Sequence, residues 1–184
     1  MDITAAIYSR RAVRAYASRP LAPEMLRRLI DAAIQAPSAV NEQNWSFTVV
    51  QRKALLKKIS TQAKAYLLAQ DLLAPNLRAL VEEREFDIFY DAPALIVISS
   101  VGQGQWAVEN CALAAENLML AACGEGLGSC WIGFAQSWLG TADGRRELEL
   151  QADSVPRAPI IVGYPQGQPA AVPRREPEIR WIGP

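Results

Sequence analysis

Leu26, Leu29, Ile30, Ala33 and Ile34 recur at i, i+3, i+4, i+7 and i+8, which predicts one apolar helix face. Pro23 and Glu24 suit the first turn of that helix, and Pro37 ends it. Upstream, Asp2 is placed to cap a short helix over residues 3–9. Residues 38–44, SAVNEQN, read as a polar loop, and β-branched and aromatic residues at 45–50 predict a strand. Residues 52–70 predict an amphipathic helix, and the charged stretch 71–90 a helix plus loop. The nearly unbroken apolar run PALIVISSV at 93–101 predicts a central strand buried on both faces. Residues 105–123 then predict a long helix that is apolar on almost every side and must be covered all round. One subunit of 184 residues covers such a helix with difficulty, so it is expected at the centre of the fold, against a homodimer interface. GEGLGS at 124–129 is the turn that stops it. A short extended piece at 130–134, a helix at 143–150 and a last strand at 159–163 follow. From Pro165 the chain carries five of its twelve prolines, so the tail, about 165–184, is expected to be extended and to lie on the partner subunit. With no repeat and no linker, residues 1–184 read as a single α+β domain, a layered sheet with helices on both sides.

Composition narrows the chemistry. Nineteen basic residues balance nineteen acidic ones, so no overall field draws the chain to nucleic acid or anionic lipid. The 184 residues contain no histidine, which excludes a Ser-His-Asp triad, Cys-His pairs and His-dependent zinc sites. Cys111, Cys123 and Cys130 lack CxxC spacing, and read as structural thiols in a reducing compartment. No signal-peptide core and no uninterrupted run of 18 apolar residues is present, which predicts a cytoplasmic chain without a membrane segment.

Charge is unevenly placed. Six arginines and one acid lie between Ser9 and Arg28, whereas eight acids and one arginine lie between Glu82 and Glu125. Such runs usually mark solvated helix faces, and the Glu82–Glu83 pair is read that way. SRRAVRAY at 9–16 differs because it begins in a junction between helices. Arginine binds phosphate through a planar fork of donors, and Arg10 and Arg14, at i and i+4, would share a face if the helix continued. A second pair, Arg174 and Arg175, lies in the tail, and the two pairs could close on one phosphate; the plainer reading of both is solubilising charge. In QAPSAVNEQNW, 35–45, Ser38, Asn41 and Gln43 could direct donors and acceptors into one crevice, as a flavin ring edge or ribityl chain requires; the alternative is an ordinary polar loop. GQGQWA at 102–107 fits the loose G-x-G-x-x-A dinucleotide turn, but Glu125, at the distance of the expected acid, ends a helix instead of a strand. A plain strand-to-helix turn accounts for it better.

In order and spacing, SRRAVRAY, APSAVNEQNWSF (36–47), FYDAPALIVI (89–98), CALAAENLMLAA (111–122), GLGSCWIG (126–133), VGYP (162–165) and PRREP (173–177) resemble the FMN-dependent nitroreductase family over nearly the full chain. The resemblance implies a nitroreductase-like fold, a central mixed sheet flanked by helices, in an intertwined homodimer with two FMN sites at its interface. It implies that Arg10, Arg11 and Ala12 belong to the first FMN motif, with Arg10 at the phosphate, and that Arg14 reaches the pyrimidine edge. Pro37, Ser38, Ala39, Asn41 and Gln43 would come from the other subunit. Trp131, Ile132 and Gly133 would pass the flavin with a backbone N–H near N5, and Arg175 with Arg174 would close on the phosphate from the tail. Two positions depart from the family pattern: Ala12 stands where serine is frequent, and Asn44 where proline is usual, which releases the fixed proline φ. No catalytic side chain and no metal ligand is expected.

The implied activity is ping-pong reduction of nitro compounds, quinones or a related small acceptor, with NADH or NADPH as electron donor. Reductive dehalogenation or enone reduction on the same scaffold is the alternative within enzymes. A flavin-binding protein without turnover is the alternative outside them.

Overall fold

The computed structural model describes residues 1–71, 73–102, 104–167 and 169–183. Leu72 of the charged stretch, Gln103 of GQGQWA, and Gln168 and Pro184 of the tail lie outside the described residues.

The chain forms α1 (Ile3–Ser9), α2 (Pro23–Ala33), a 3-10 turn (Ala39–Asn41), β1 (Trp45–Val50), α3 (Lys53–Gln70), α4 (Pro75–Glu82), β2 (Ala94–Val101), α5 (Ala107–Gly124), β3 (Gly128–Trp131), α6 (Gly133–Leu139), α7 (Ala142–Glu147) and β4 (Ser154–Gly163). Asp2 accepts from the Ala5 N–H at 2.9 Å and so caps α1, as its position predicts.

The strand order is β1-β2-β4-β3, and all three named pairings are antiparallel. The expectation of a mixed sheet is met in one place only. Among the described residues the parallel component is the isolated bridge between Ala12 and Ser129, which lays the SRRAVRAY segment along β3. The central strand β2 is buried along nearly its whole length, and helices on both faces make it a continuous apolar run despite its antiparallel pairing. Leu95 and Val97 face the core shared with α3 and α6, together with Ile59, Ala135 and Leu139. Ala94, Ile96 and Ile98 face the core shared with α2 and α5, together with Leu29, Ala115 and Leu118. Each such Leu or Ile contributes about 1.5–3 kcal/mol by leaving water, and Ile96→Ala would cost about 2–5 kcal/mol.

Several elements differ from the sequence expectation: β3 takes Gly128 and Ser129 from the predicted turn, and α7 ends at Glu147, short of the predicted 150. Residues 133–139 form α6, because Trp138 and Leu139 are buried and Phe134 meets the Phe86 ring edge-on at 6.4 Å. β4 begins at Ser154, upstream of the predicted Pro159. Pro156 is accommodated beside the register shift between Ile98 and Ser99, where a missing donor costs least.

The α5 face is only partly covered. Ala114, Ala115 and Leu118 are fully buried, but Val108 and Leu113 are about half exposed, as are Trp106 before the helix and Ile7 of α1. No described helix is long and apolar enough to cross a membrane.

Candidate functional site

The arginine cluster is not helical. Asp2 to Ser9 closes α1, and Arg10 turns out of it with φ −55° and ψ 132°. From there the chain runs extended along the edge of β3, with the Val13 N–H donated to the Ser129 carbonyl at 3.0 Å. Arg10 and Arg14 are therefore not brought onto one face by a helical turn. Four residues of extended chain span up to about 13–14 Å, against about 6 Å in a helix. The two guanidiniums therefore serve two different places, and the helical pairing expected from their i, i+4 spacing is corrected.

Val13 explains why the segment lies there. It projects to the opposite side from Arg14, is buried, and joins the α3–α6 core. Its approach to β3 requires glycine at 128, because a Cβ there would sit 2.6 Å from Val13 Cγ2. The GLGS turn thus serves close packing as well as helix termination.

Arg11 takes a distinct role. Its Nη1 donates to the carbonyls of Tyr8 and Arg10 at 2.7 and 2.8 Å, satisfying the end of α1. Its Nε is buried without a partner. Arg10 is largely covered, with Nε 3.5 Å from Glu116 Oε1 of α5.

A cavity lies toward each end of the segment. At the Arg10 end, about 360 Å³ is lined by Ser9, Arg10, Arg11, Ser129, Gly126–Gly128 and the start of the tail. At the Arg14 end, about 290 Å³ is lined by Arg14, Tyr90, Cys130, Trp131, Ile132, Gly133 and Phe134. Arg14 Cζ lies 6.0 Å from the Tyr90 ring centroid. Burial raises the Tyr90 phenol above its usual range, although Arg14 works against this, so the ring stays neutral beside the guanidinium. Burial likewise raises the Cys130 thiol, and pushes Cys111 up to about 11, consistent with structural thiols. The Ile132 N–H is donated to the Pro159 carbonyl at 2.8 Å, so a free N–H for a ligand here falls to Trp131 or Gly133.

The 38–44 loop is wound tightly. Val40, Asn41 and Gln43 have φ of 45°, 58° and 47°. A β-branched residue in that region is uncommon and strained, and Val40 is 91% exposed. Ser38 Oγ accepts from the Gln43 N–H at 3.0 Å, and Gln43 Nε2 donates to Asn41 Oδ1 at 2.7 Å. Part of the amide capacity is therefore spent within the loop, leaving the Asn41 amide donor and the Gln43 carbonyl. Pro37, Ser38, Ala39, Asn41 and Gln43 line neither arginine cavity, and nor do the exposed Arg174 and Arg175. One chain thus brings together Arg10, Arg11 and the start of the tail at one cavity, and Arg14 with Trp131–Gly133 at the other, but not the loop or the tail arginines.

Sequence reasoning missed Tyr90, Gly128, Phe134 and the buried Asn110 of α5. Asn110 Oδ1 accepts from the Ala39 N–H, and its Nδ2 donates to Glu42 and Asn44, each at 3.0 Å. An asparagine at a core-facing position of an alanine-rich helix was the available signal. GQGQWA also acquires a packing role: a Cβ on Gly104 would lie 2.7 Å from Asn44 Nδ2 and 3.0 Å from Glu42 Oε2.

Comparison with known proteins places this geometry. A stretch of 75 residues is 41% identical to a proposed NADH dehydrogenase/NAD(P)H nitroreductase of Archaeoglobus fulgidus, covering 41% of this chain and 40% of that protein. The chain thus spans less than half the length of this curated relative in the match. The fold is similar to a nitroreductase with bound FMN from Desulfitobacterium hafniense (TM-score 0.86, 24% identity, 100% of both chains). It is also similar to iodotyrosine deiodinase bound to FMN and 3-iodo-L-tyrosine (TM-score 0.80, 22% identity, 99% of this chain and 100% of that one). Residues 7–164, which hold the arginine segment, the wound loop and all four strands, match the model of the Nitroreductase family, and the chain belongs to that family.

Proposed function

We propose that the protein is an NAD(P)H-dependent FMN oxidoreductase that reduces nitro compounds, quinones or a related small acceptor, and that it works as a single-domain cytoplasmic homodimer. The observation that carries this reading is the extended Arg10–Arg14 segment with a cavity toward each end.

The residues fit FMN on their own chemistry. The ligand has an anionic phosphate, a polar ribityl chain and a flat ring, and needs charge at two separated points. Arg10, with the unpartnered buried Nε of Arg11 beside it, suits the phosphate. Arg14, which lines the other cavity, suits the ring edge. Ala12 between them is exposed and leaves room where the family often has a hydroxyl. Trp131 and Gly133 offer backbone donors, and the aromatic Tyr90, Trp131 and Phe134 offer apolar surface beside the ring.

Bound FMN would supply hydride acceptance from NAD(P)H and electron delivery to the acceptor, which a chain without histidine does not need side-chain acids to perform. Arg14 keeps a fixed positive charge where negative charge collects on reduction, as an oxyanion hole does.

The second subunit completes the site in this reading. Pro37, Ser38, Ala39, Asn41 and Gln43 reach the partner's flavin, and Arg174 and Arg175 reach its phosphate. Their absence from the cavities of their own chain, together with the half-exposed Val108, Leu113 and Ile7, supports that arrangement. The fold likeness to the deiodinase favours a second reading in which the acceptor is an organohalide.

The test is anaerobic. FMN-loaded protein mixed with NADH or NADPH should lose its visible absorbance in a single fast phase. Slow bleaching with both donors, no faster than free FMN, would overturn the enzyme reading and leave flavin binding without turnover. An acceptor screen with nitroaromatics, quinones and halogenated phenols then separates the two enzyme readings.

A further inference from the structure

We propose that Asn110 is the positioning residue for the flavin-contacting loop, a role that rests on the two-subunit reading above. Three facts lead to it. The 38–44 loop holds three non-glycine residues at positive φ. Such a conformation persists only when its surroundings over-determine it. Asn110, 1% exposed on α5, supplies that constraint from three directions: its carbonyl takes the Ala39 N–H, and its amide nitrogen reaches both Glu42 and Asn44.

The orientation of the amide is fixed by its partners. The Ala39 N–H is a donor only, so Oδ1 must face it, and Nδ2 must then face the Glu42 carboxylate and the Asn44 carbonyl oxygen. Aspartate at 110 would keep the first hydrogen bond, but lose both donors and place a second carboxylate beside Glu42.

This also accounts for Asn44. The resemblance places proline there, which would stiffen the loop through its ring. In this chain the Asn44 side chain ties the loop to α5 instead, and its main-chain carbonyl accepts from the Val101 N–H at 2.8 Å. Gly104 keeps the gap between α5's entry turn and Glu42–Asn44 free of a side chain. Loop rigidity is thus built from a buried polar network and not from a proline.

The experiment uses the full-length protein and two readouts, FMN affinity by fluorescence quenching and amide hydrogen exchange over residues 39–43. Asn110→Ala should weaken FMN binding about tenfold and speed exchange at Ala39 by at least tenfold. Asn110→Asp should weaken FMN binding to a similar extent at neutral pH and speed exchange at Glu42 and Gln43, while Ala39, which keeps its acceptor, stays better protected than in Asn110→Ala. Adding Glu42→Gln to Asn110→Asp should restore both readouts to within about threefold of wild type, because the side-chain amide introduced at position 42 can then donate to the carboxylate introduced at position 110. A generic packing defect would not respond to this exchange of donor and acceptor. Unchanged exchange at Ala39 in Asn110→Ala, or a double variant no better than Asn110→Asp, would overturn the proposal. If exchange responds as stated while FMN binding is absent even in wild type, the brace stands and the flavin reading falls.

Discussion

Gly128→Ala probes whether the arginine segment is held in place by its contact with β3. The new Cβ would lie 2.6–2.7 Å from three Val13 atoms, Cγ2, Cβ and Cγ1. Ordinary contact begins at 3.4 Å, so the segment or the strand must give by about 0.8 Å. Val13 is β-branched and buried, and has few rotamers to escape into. Overpacking of this kind costs about 1–3 kcal/mol. At about 2–4 °C per kcal/mol for a chain of this size, the Tm should fall by about 2–12 °C. Because Arg10 and Arg14 flank Val13, a shift of that size should also weaken FMN binding, by about tenfold, equivalent to about 1.4 kcal/mol. Val13→Ala alone removes two methyl groups and should cost about 1–2.5 kcal/mol. In the double variant the two Cγ contacts are gone but the 2.7 Å approach to the residue-13 Cβ remains, so the overpacking is only partly relieved and the losses should be sub-additive by about 0.5–1 kcal/mol. Thermal melts and FMN titrations on the four proteins close the cycle. Strictly additive losses would show that the close approach at Gly128 does not hold the segment.

Arg10→Ala should weaken FMN binding about 10–100-fold with little change in Tm, whereas Arg11→Ala should lower stability by about 1–2 kcal/mol through loss of the α1 cap; paired melts and FMN titrations decide this. Arg14→Ala should retain more FMN than Arg10→Ala but lower the flavin midpoint potential, read by anaerobic dye equilibration; an unchanged potential would remove its role beside the ring. Burial alone would raise the Asp87 carboxyl, but hydrogen bonds from Lys57, Ser60 and the Phe89 and Asp91 N–H groups outweigh it and hold it below the ordinary 3.8. A depressed folded pKa means that the stabilisation is full above the unfolded value and is lost as pH falls below about 4. The Tm gap between wild type and Asp87→Asn should therefore be widest near neutral pH and close in acid; a gap that widens in acid would contradict the sign.

The elements with clear periodicity or caps were legible in the sequence: α1 with Asp2, α2 with Pro23, β1, and β2 as a strand covered on both faces. α6 was not, because seven residues rich in aromatics show no helical period, and its helix is set by tertiary packing of Phe134, Trp138 and Leu139. β4 was shortened because Pro156 reads as a breaker unless the bulge at Ile98–Ser99 is known. For the site, residue types were readable but their spacing was not. Arg10 and Arg14 suit either a helix or a strand at i, i+4, and only the parallel bridge of Ala12 to Ser129 decides it. The role of Asn110 was not legible even though a polar residue in an apolar helix could be noticed, because its three partners lie 66 to 71 residues away.

The composite site is tested most directly by subunit complementation. Arg10→Ala loses the phosphate anchor, and Asn41→Ala combined with Gln43→Ala loses the loop contacts. If each site takes its arginines from one chain and its loop from the other, a heterodimer of the two variants has one intact site and one doubly defective site. Random reassembly of equal amounts makes about half the dimers mixed, so about a quarter of the wild-type high-affinity FMN sites should reappear. No recovery in dimers verified to be mixed would contradict the account and place the whole site within one chain.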